Sequence, residues 1–502
     1  MAKRARLART RKAAGLTQEQ FAAKLNVDRT TVIRWEAGQH DPLPYMQPKM
    51  AGLLHVSQAE LRDLLRPPLT QVTELTPTGV SGGPGGLALP QGGLWVPVVA
   101  DGQPGFLPLD ATALPGGRGA DQVRSLPTDP GPDVGDRDHT LRAVVELSGE
   151  DLKRRNFLAG TAFTAAAFAE PALFAMTAPP AGDAARESGG TRIGMTDVQI
   201  LADNLAHLRR MDFRYGSGRM RERAVQYLHH EATRLLGGSY SDATGRALLT
   251  AVAQCARMAA SMAADTGLHT LAQRYYIQAL NLAIEAGNRL FAATMLSDMA
   301  RQVIQNATRQ QDARQAASLA RSGMTMAGKA TPTLAAQLHA VEARAHALSR
   351  DSSAVRLAVA DAETRYDRYR PDEEPQWLGF YTEAELAADL GRALRDIGES
   401  DRATRLLSRT LDGYEPWRVR SRCFVQTDLA AAYLVHDEHD RAVAVTRDAL
   451  ATASEVNSRR AVNRIEGLQR RMGSLDSAVL ARLDEEIAEF LRRAREDEDV
   501  TA

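Results

Sequence analysis

The chain predicts a mainly all-α protein: a five-helix N-terminal domain, a Pro/Gly-rich tether with a possible short β-hairpin, and a long C-terminal α-solenoid of degenerate repeats. Three observations predict it. Residues 3–38 carry helical apolar spacing broken at Gly15, Asn26 and Gly38. Residues 67–138 are dominated by Gly and Pro, a composition that cannot bury enough surface to order itself. From about Thr196 to Arg495, apolar side chains return every three or four positions with short breaks and no strand-like alternation. The expected boundaries are 1–66, 67–138, 139–195 and 196–497.

Each N-terminal element has a local cause. Residues 3–14 are helix formers that end at Gly15, where a missing Cβ permits a left-handed C-cap. Thr17 caps a second helix, and Gln20 lies three residues on, as a capping box requires. Phe21, Ala22 and Leu25 share one face, and Ala22 is small enough for another helix to approach. Asn26 tolerates the left-handed turn that stops this helix, Val27 fills the corner, and Asp28 caps a third helix whose buried face is Val32 and Trp35, ending at Gly38. Two steeply crossed helices joined by a tight turn form a helix-turn-helix. Further helices are expected at about 42–54 and 57–65.

The polar face points to duplex DNA. Arg29, Thr30, Thr31 and Arg34 project from the start and outer side of the third helix, where a recognition helix presents side chains to base edges. Arg29 or Arg34 suits a bidentate pair with guanine, and Thr30 a thymine methyl. Gln18, at the positive end of the second helix, is placed for a phosphate. Lys3, Arg4, Arg6 and Lys12 add phosphate attraction: residues 1–66 hold twelve Lys/Arg against six Asp/Glu, whereas the whole chain is neutral with 62 of each. Through GLTQEQFAAKL, the turn NV and TTVIRWEAG, the first 66 residues or so resemble the xenobiotic-response-element (phage repressor and Cro-like) family of DNA-binding domains. Asn26 stands where that family usually has Gly and Asp28 where it often has Ser, so Asp28 brings a negative charge near the DNA. The resemblance implies sequence-specific binding to double-stranded DNA as a two-fold homodimer.

Composition sets the background. With 502 residues and 44% apolar content there is ample material for real cores. Six of the 62 cations are lysine, an arginine bias expected of a GC-rich, actinobacterial source. Cys255 and Cys423 read as buried free thiols in a reducing cytoplasm, with the protein nucleoid-associated. Within the tether, LWVPVVADGQPGFLPLD (94–110) brackets a DGQPG turn with two apolar runs, a hairpin that needs a neighbour. Residues 153–178, KRRNFLAGTAFTAAAFAEPALFAMTA, resemble a twin-arginine export signal. Their internal position and the break at Glu170 and Pro171 favour an Ala-rich docking or connecting helix over membrane association.

In the long helical half a pattern recurs in the segments beginning at 265, 309, 351, 399 and 438. Each places Asp or Ser before a small residue and then an apolar helix, as the second helix of a hairpin would. Alanines 313, 354, 403 and 442 mark equivalent points at intervals of 41, 49 and 39 residues. AQRYYIQALNLA, with Ala272, Tyr275, Ala279 and Leu280, resembles the tetratricopeptide signature, which implies stacked hairpins with a concave inner surface. On that surface Tyr275, Tyr276, Asn281, Asn288 and Arg289 are the candidates for holding a peptide or protein effector; the ordinary alternatives are helix caps for the asparagines and core packing for the tyrosines. His229, His230 and Glu231, and His436 with His439, lack a third metal ligand at recognisable spacing. No nucleophile elbow, zinc-protease motif or dinucleotide fingerprint occurs. The expected function is a DNA-binding transcriptional regulator, not an enzyme, with no cofactor or metal. The rivals are a helical interaction scaffold and a protein taken to a membrane by the KRRNFL segment.

Overall fold

The computed structural model describes residues 7, 10–12, 14, 16–25, 27, 29–36, 47–54 and 56, the strands 95–100 and 103–108, residues 137–153, and residues 163–501 except 188, 189, 474, 476 and 477. Two compact units arise, residues 1–90 and 91–502. The first contains α1 (Gln18–Leu25), α2 (Arg29–Glu36) and α3 (Gln47–Leu54). The second opens with the antiparallel strands β1 (Trp95–Ala100) and β2 (Gln103–Pro108). Pro104 and Gly105, expected in the turn, pair instead with Val99 and Val98, and Ala100 pairs with Gln103. Two residues, Asp101 and Gly102, separate the last pair; Asp-Gly is the dipeptide a two-residue hairpin turn favours.

Behind the hairpin come α4 (Arg137–Lys153), a 3-10 turn (Ala165–Phe168) running into α5 (Ala169–Thr177), α6 (Met195–Tyr215) and α7 (Ser217–Gln226). The last continues through a π-helical turn, Tyr227–Ala232, and a short final turn, Thr233–Leu235. The array then runs as paired helices: α8 (Asp242–Asp265) with α9 (His269–Glu285), α10 (Arg289–Asn306) with α11 (Gln310–Ala327), α12 (Pro332–Leu348) with α13 (Ser352–Tyr366), α14 (Glu383–Asp396) with α15 (Ser400–Gly413), and α16 (Val419–Val435) with α17 (His439–Ser454). Helices α18 (Arg459–Met472) and α19 (Ala478–Thr501) complete it. Along α8, α10 and α12 most residues are buried, because each is flanked on both sides, and alanine lets the backbones approach.

Four of the five hairpin turns are built alike, the exception being the one between α10 and α11. Leu268, Asp351, Glu399 and Glu438 each donate a backbone N–H to the carbonyl five residues earlier, on Ala263, His346, Leu394 and Tyr433. The residue before each, Gly267, Arg350, Gly398 or Asp437, has positive φ, the left-handed stop that such a C-terminal bond needs. Counting four residues from each second-helix N-cap corrects one expected equivalence: Ala272, Ala313, Val355, Ala403 and Ala442 are the matching buried positions, and Ala354 lies one residue out of register, only half-buried.

The segment 139–195 is part of this body. The RRNFL portion lies outside the described residues, but the apolar stretch after it buries Phe168, Ala172 and Ala175 in the main core. Gln273 of α9 donates to the Thr164 carbonyl at 2.7 Å and Gln315 of α11 to the Ala165 carbonyl at 2.5 Å, fixing the stretch as a docked helix. Strand β1 lies beside it. Helix α8 has the length and apolar composition to cross a bilayer, and 83% of that window is buried inside the array. Cys255 and Cys423 are buried free thiols, and burial pushes both up to about 12.

The first and last parts of the array meet. Asn457 donates its backbone N–H to the Tyr215 carbonyl, and Gly218 donates to the Asn457 carbonyl, both at 2.9 Å. Arg420 of α16 grips Asp212 of α6 at 2.6 Å, and Ser458 donates to Asp265 of α8 at 2.9 Å. Gly216 has φ of 85°, and a Cβ there would run into the Asn457 backbone. The predicted concave surface is thereby an interior hollow that stays partly open to solvent. Arginines from successive first helices point into it: Asp389 is shared by Arg301, Arg344 and Arg392, and Asp428 by Arg392, Arg395 and Arg464.

Candidate nucleic-acid interface

The N-terminal helices are joined as the capping chemistry requires. Thr17 N–H donates to the Gln20 side-chain oxygen at 2.9 Å, and Gln20 N–H donates back to the Thr17 hydroxyl at 3.1 Å. Phe21, Ala22 and Leu25 of α1 pack with Val32 and Trp35 of α2, Met50, Ala51 and Leu54 of α3, and Leu7. Val27 is half-buried at the corner. Gly15, Asn26, Asp28, Gly38 and the helix expected at 57–65 lie outside the described residues.

One polar lock holds this core. Arg11, with its side chain 5% exposed, donates to Glu36 at the end of α2 at 2.6 Å and to the Leu16 carbonyl at 2.6 Å. Gln18 donates its amide to the other Glu36 oxygen at 2.7 Å. Glu36 therefore ties the segment before α1, the first turn of α1 and the last turn of α2 together. Removing one partner of such a buried pair costs roughly 3–5 kcal/mol. Sequence reasoning missed the pair because its members stand 25 residues apart; the signal was a lone Arg on the apolar side of the first helix.

The expected DNA-contacting residues fall as follows. Arg29, at the first turn of α2, is exposed and pairs with the equally exposed Glu19 of α1 at 2.8 Å. Glu19 sits below the usual carboxylate range because its own backbone N–H bonds it, with Arg29 adding to the effect. Thr30, Thr31 and Arg34 lie on α2, and Thr31 is half-buried. Lys12 is helical and exposed. Gln18 has its amide engaged by Glu36, so what it offers at the positive end of α1 is its backbone N–H. Lys3, Arg4 and Arg6 lie outside the described residues.

The five effector candidates do not share a surface. Tyr275 is wholly buried and donates its hydroxyl to Asp151 of α4 at 3.0 Å, beside Arg221. Asn288 caps α10 by accepting the Phe291 N–H at 3.0 Å. Arg289 bonds the Met326 carbonyl at 3.0 Å, and Asn281 is half-buried on α9. Tyr276 alone of the five lines the interior hollow. The interior is set instead by the first helices, in a pattern legible as Asp298-Met-Ala-Arg301 on α10 and Asp389-Leu-Gly-Arg392 on α14, with Asp428-Leu-Ala on α16. The second helices drew attention because their small-residue marks are plainer.

Residues 7–62 match the family described as Helix-turn-helix. The chain matches no curated protein. A helix-turn-helix at these residues, with its cap, core and exposed α2 arginine in place, marks the chain as a DNA-binding transcriptional regulator.

Proposed function

We propose that the chain reads an operator as a two-fold dimer in the cytoplasm, on the nucleoid, and that the helical array sets its activity through oligomerisation or by sensing a peptide or protein partner. Arg29, Thr30, Thr31 and Arg34 supply base readout. Lys3, Arg4, Arg6 and Lys12, with the α1 terminus at Gln18, supply phosphate contacts. The observation that carries the reading is the Arg11–Glu36–Gln18 lock, which fixes α1 against α2 while leaving Arg29 exposed. The Arg29–Glu19 pair is no obstacle, since exposed pairs are worth about 0–1 kcal/mol and a guanine edge can replace it. Control acts through dimerisation and effective concentration rather than rigid leverage.

The test is binding to a selected operator and to scrambled duplex across a salt series. Arg29→Ala is expected to cost about 1–3 kcal/mol on the operator alone, whereas Lys12→Ala weakens both duplexes and lowers the salt slope by about 1. Equal losses from Arg29→Ala on both duplexes would remove its assigned role.

A further inference from the structure

The interior hollow is lined by more positive than negative side chains. Two adjoining cavities, about 200 and 340 Å³, share Ala264, Gln305, Arg392 and Arg460 in their walls. Together their linings carry eleven arginines against seven carboxylates. Their combined space falls in the range of small-molecule sites, about 300–1,000 Å³.

The excess is localised. Phe380 carries two guanidiniums, Arg257 at 4.9 Å and Arg209 at 5.5 Å from the ring centre. Phe424 carries Arg464 and Arg460, each at 4.8 Å. In each stack one arginine is matched by a carboxylate: Arg257 by Asp298 at 2.5 Å, Arg464 by Asp428 at 2.9 Å. The other member, Arg209 or Arg460, forms no ion pair among the described residues, and Arg460 has only the Gln305 amide oxygen at 2.8 Å. Burial and the neighbouring Arg257 pull Arg209 down to about 10 against the attraction of Asp298 and Asp212, and burial beside Arg464 pulls Arg460 well below its usual range against that of Asp265. Both guanidiniums are half-buried, and a half-buried cation without a paired carboxylate is placed to take an anion that enters the cavity. In the same wall Gln302 and Gln337, 2% and 1% exposed, each keep an amide oxygen without a partner, capacity for hydroxyl or N–H groups on a guest.

We propose that this interior binds one small anion with two acidic groups, carboxylate or phosphate, one held by Arg209 on the Phe380 stack and the other by Arg460 on the Phe424 stack. The anion completes the charge balance of the array, and its contacts with α6, α14, α16 and α18 join the helices that close it. The idea rests on the array being the sensing half of the regulator and names the chemistry sensed.

The test uses the full chain without DNA, so its failure is separate from any failure of operator reading. Calorimetric titration with citrate and with inorganic pyrophosphate, at ionic strength matched by sodium chloride, is expected to give saturable binding of one anion per chain. Binding of citrate alone assigns a carboxylate ligand, and binding of pyrophosphate alone assigns a phosphate. Arg209→Met and Arg460→Met are each expected to weaken binding by about tenfold or more and to leave the melting temperature in chloride unchanged or higher, since each removes a half-buried charge that holds no carboxylate and keeps the apolar stem on its ring. Saturable heat from neither anion, or from an acidic peptide only, overturns the proposal. So do variants that bind as the parent does, or that melt lower in chloride as a structural role would require.

Discussion

In the N-terminal unit one buried arginine, Arg11, meets one glutamate, Glu36, while Lys12, Lys24, Arg29 and Lys49 face solvent. In the array one set of arginines turns inward while others stay on the surface, and Asp389 and Asp428 are each shared by three of the inner set. The first arrangement spends a single ion pair on holding helices and leaves its charge available to a long external polyanion. The second keeps charge away from water, where only a guest able to enter can use it. Arginine content alone therefore does not locate a DNA face; the direction of the side chains does.

The largest effect should come from breaking the inner hub. Asp389→Asn leaves Arg301, Arg344 and Arg392 facing one another and is expected to cost about 3–5 kcal/mol, read as a lower denaturation midpoint of the array. Arg11→Ala is expected to cost about 3 kcal/mol in the N-terminal unit, because it strands a Glu36 that is 10% exposed; a probe on Trp35 would report it, and unchanged Trp35 unfolding would deny the lock. Gly216→Ala, at a positive φ against Asn457, is expected to cost about 1–3 kcal/mol and to speed proteolysis near residue 457. Acid should act on the array next. Burial raises the Glu342 carboxyl, but the imidazoles of His339 and His346, at 3.7 and 3.6 Å, and the charge of Arg321 outweigh it and bring it down to about 2 from 4.5. A depressed carboxylate adds stability above its unfolded value and loses it as pH falls, so the melting temperature should drop between about pH 4.5 and 2, less so in Glu342→Gln. Arg29→Ala should change stability least, within about 0.5 kcal/mol, although it has the greatest consequence for operator choice.

The same contrast explains what could be read from residues alone. The N-terminal domain is short-range: Thr17 with Gln20, and Phe21, Ala22 and Leu25 with Val32 and Trp35, all act within a few turns, so spacing revealed them. Arg11 with Glu36 escaped because nothing local announces it. In the array, helix periodicity was clear, but equivalence rested on alanine marks, and Ala354 was preferred to its buried neighbour Val355. Tyr275 and Asn288 suggested a groove by type; their partners, Asp151 and Phe291 N–H, instead place them in core packing and a helix cap. Inner-face residues come from helices far apart in the chain, as Arg420 with Asp212 shows across 208 positions. Only the topology brings such pairs together.

The mating of Gly216 and Gly218 with Asn457 fixes the circumference of the array. An open solenoid can gain or lose a unit at either end and keep its local geometry. Here an added or deleted hairpin would carry the final helices past, or short of, the two glycines that receive them. Descendants of this chain are consequently free to vary their turns and their outer helices, but not the number of hairpins.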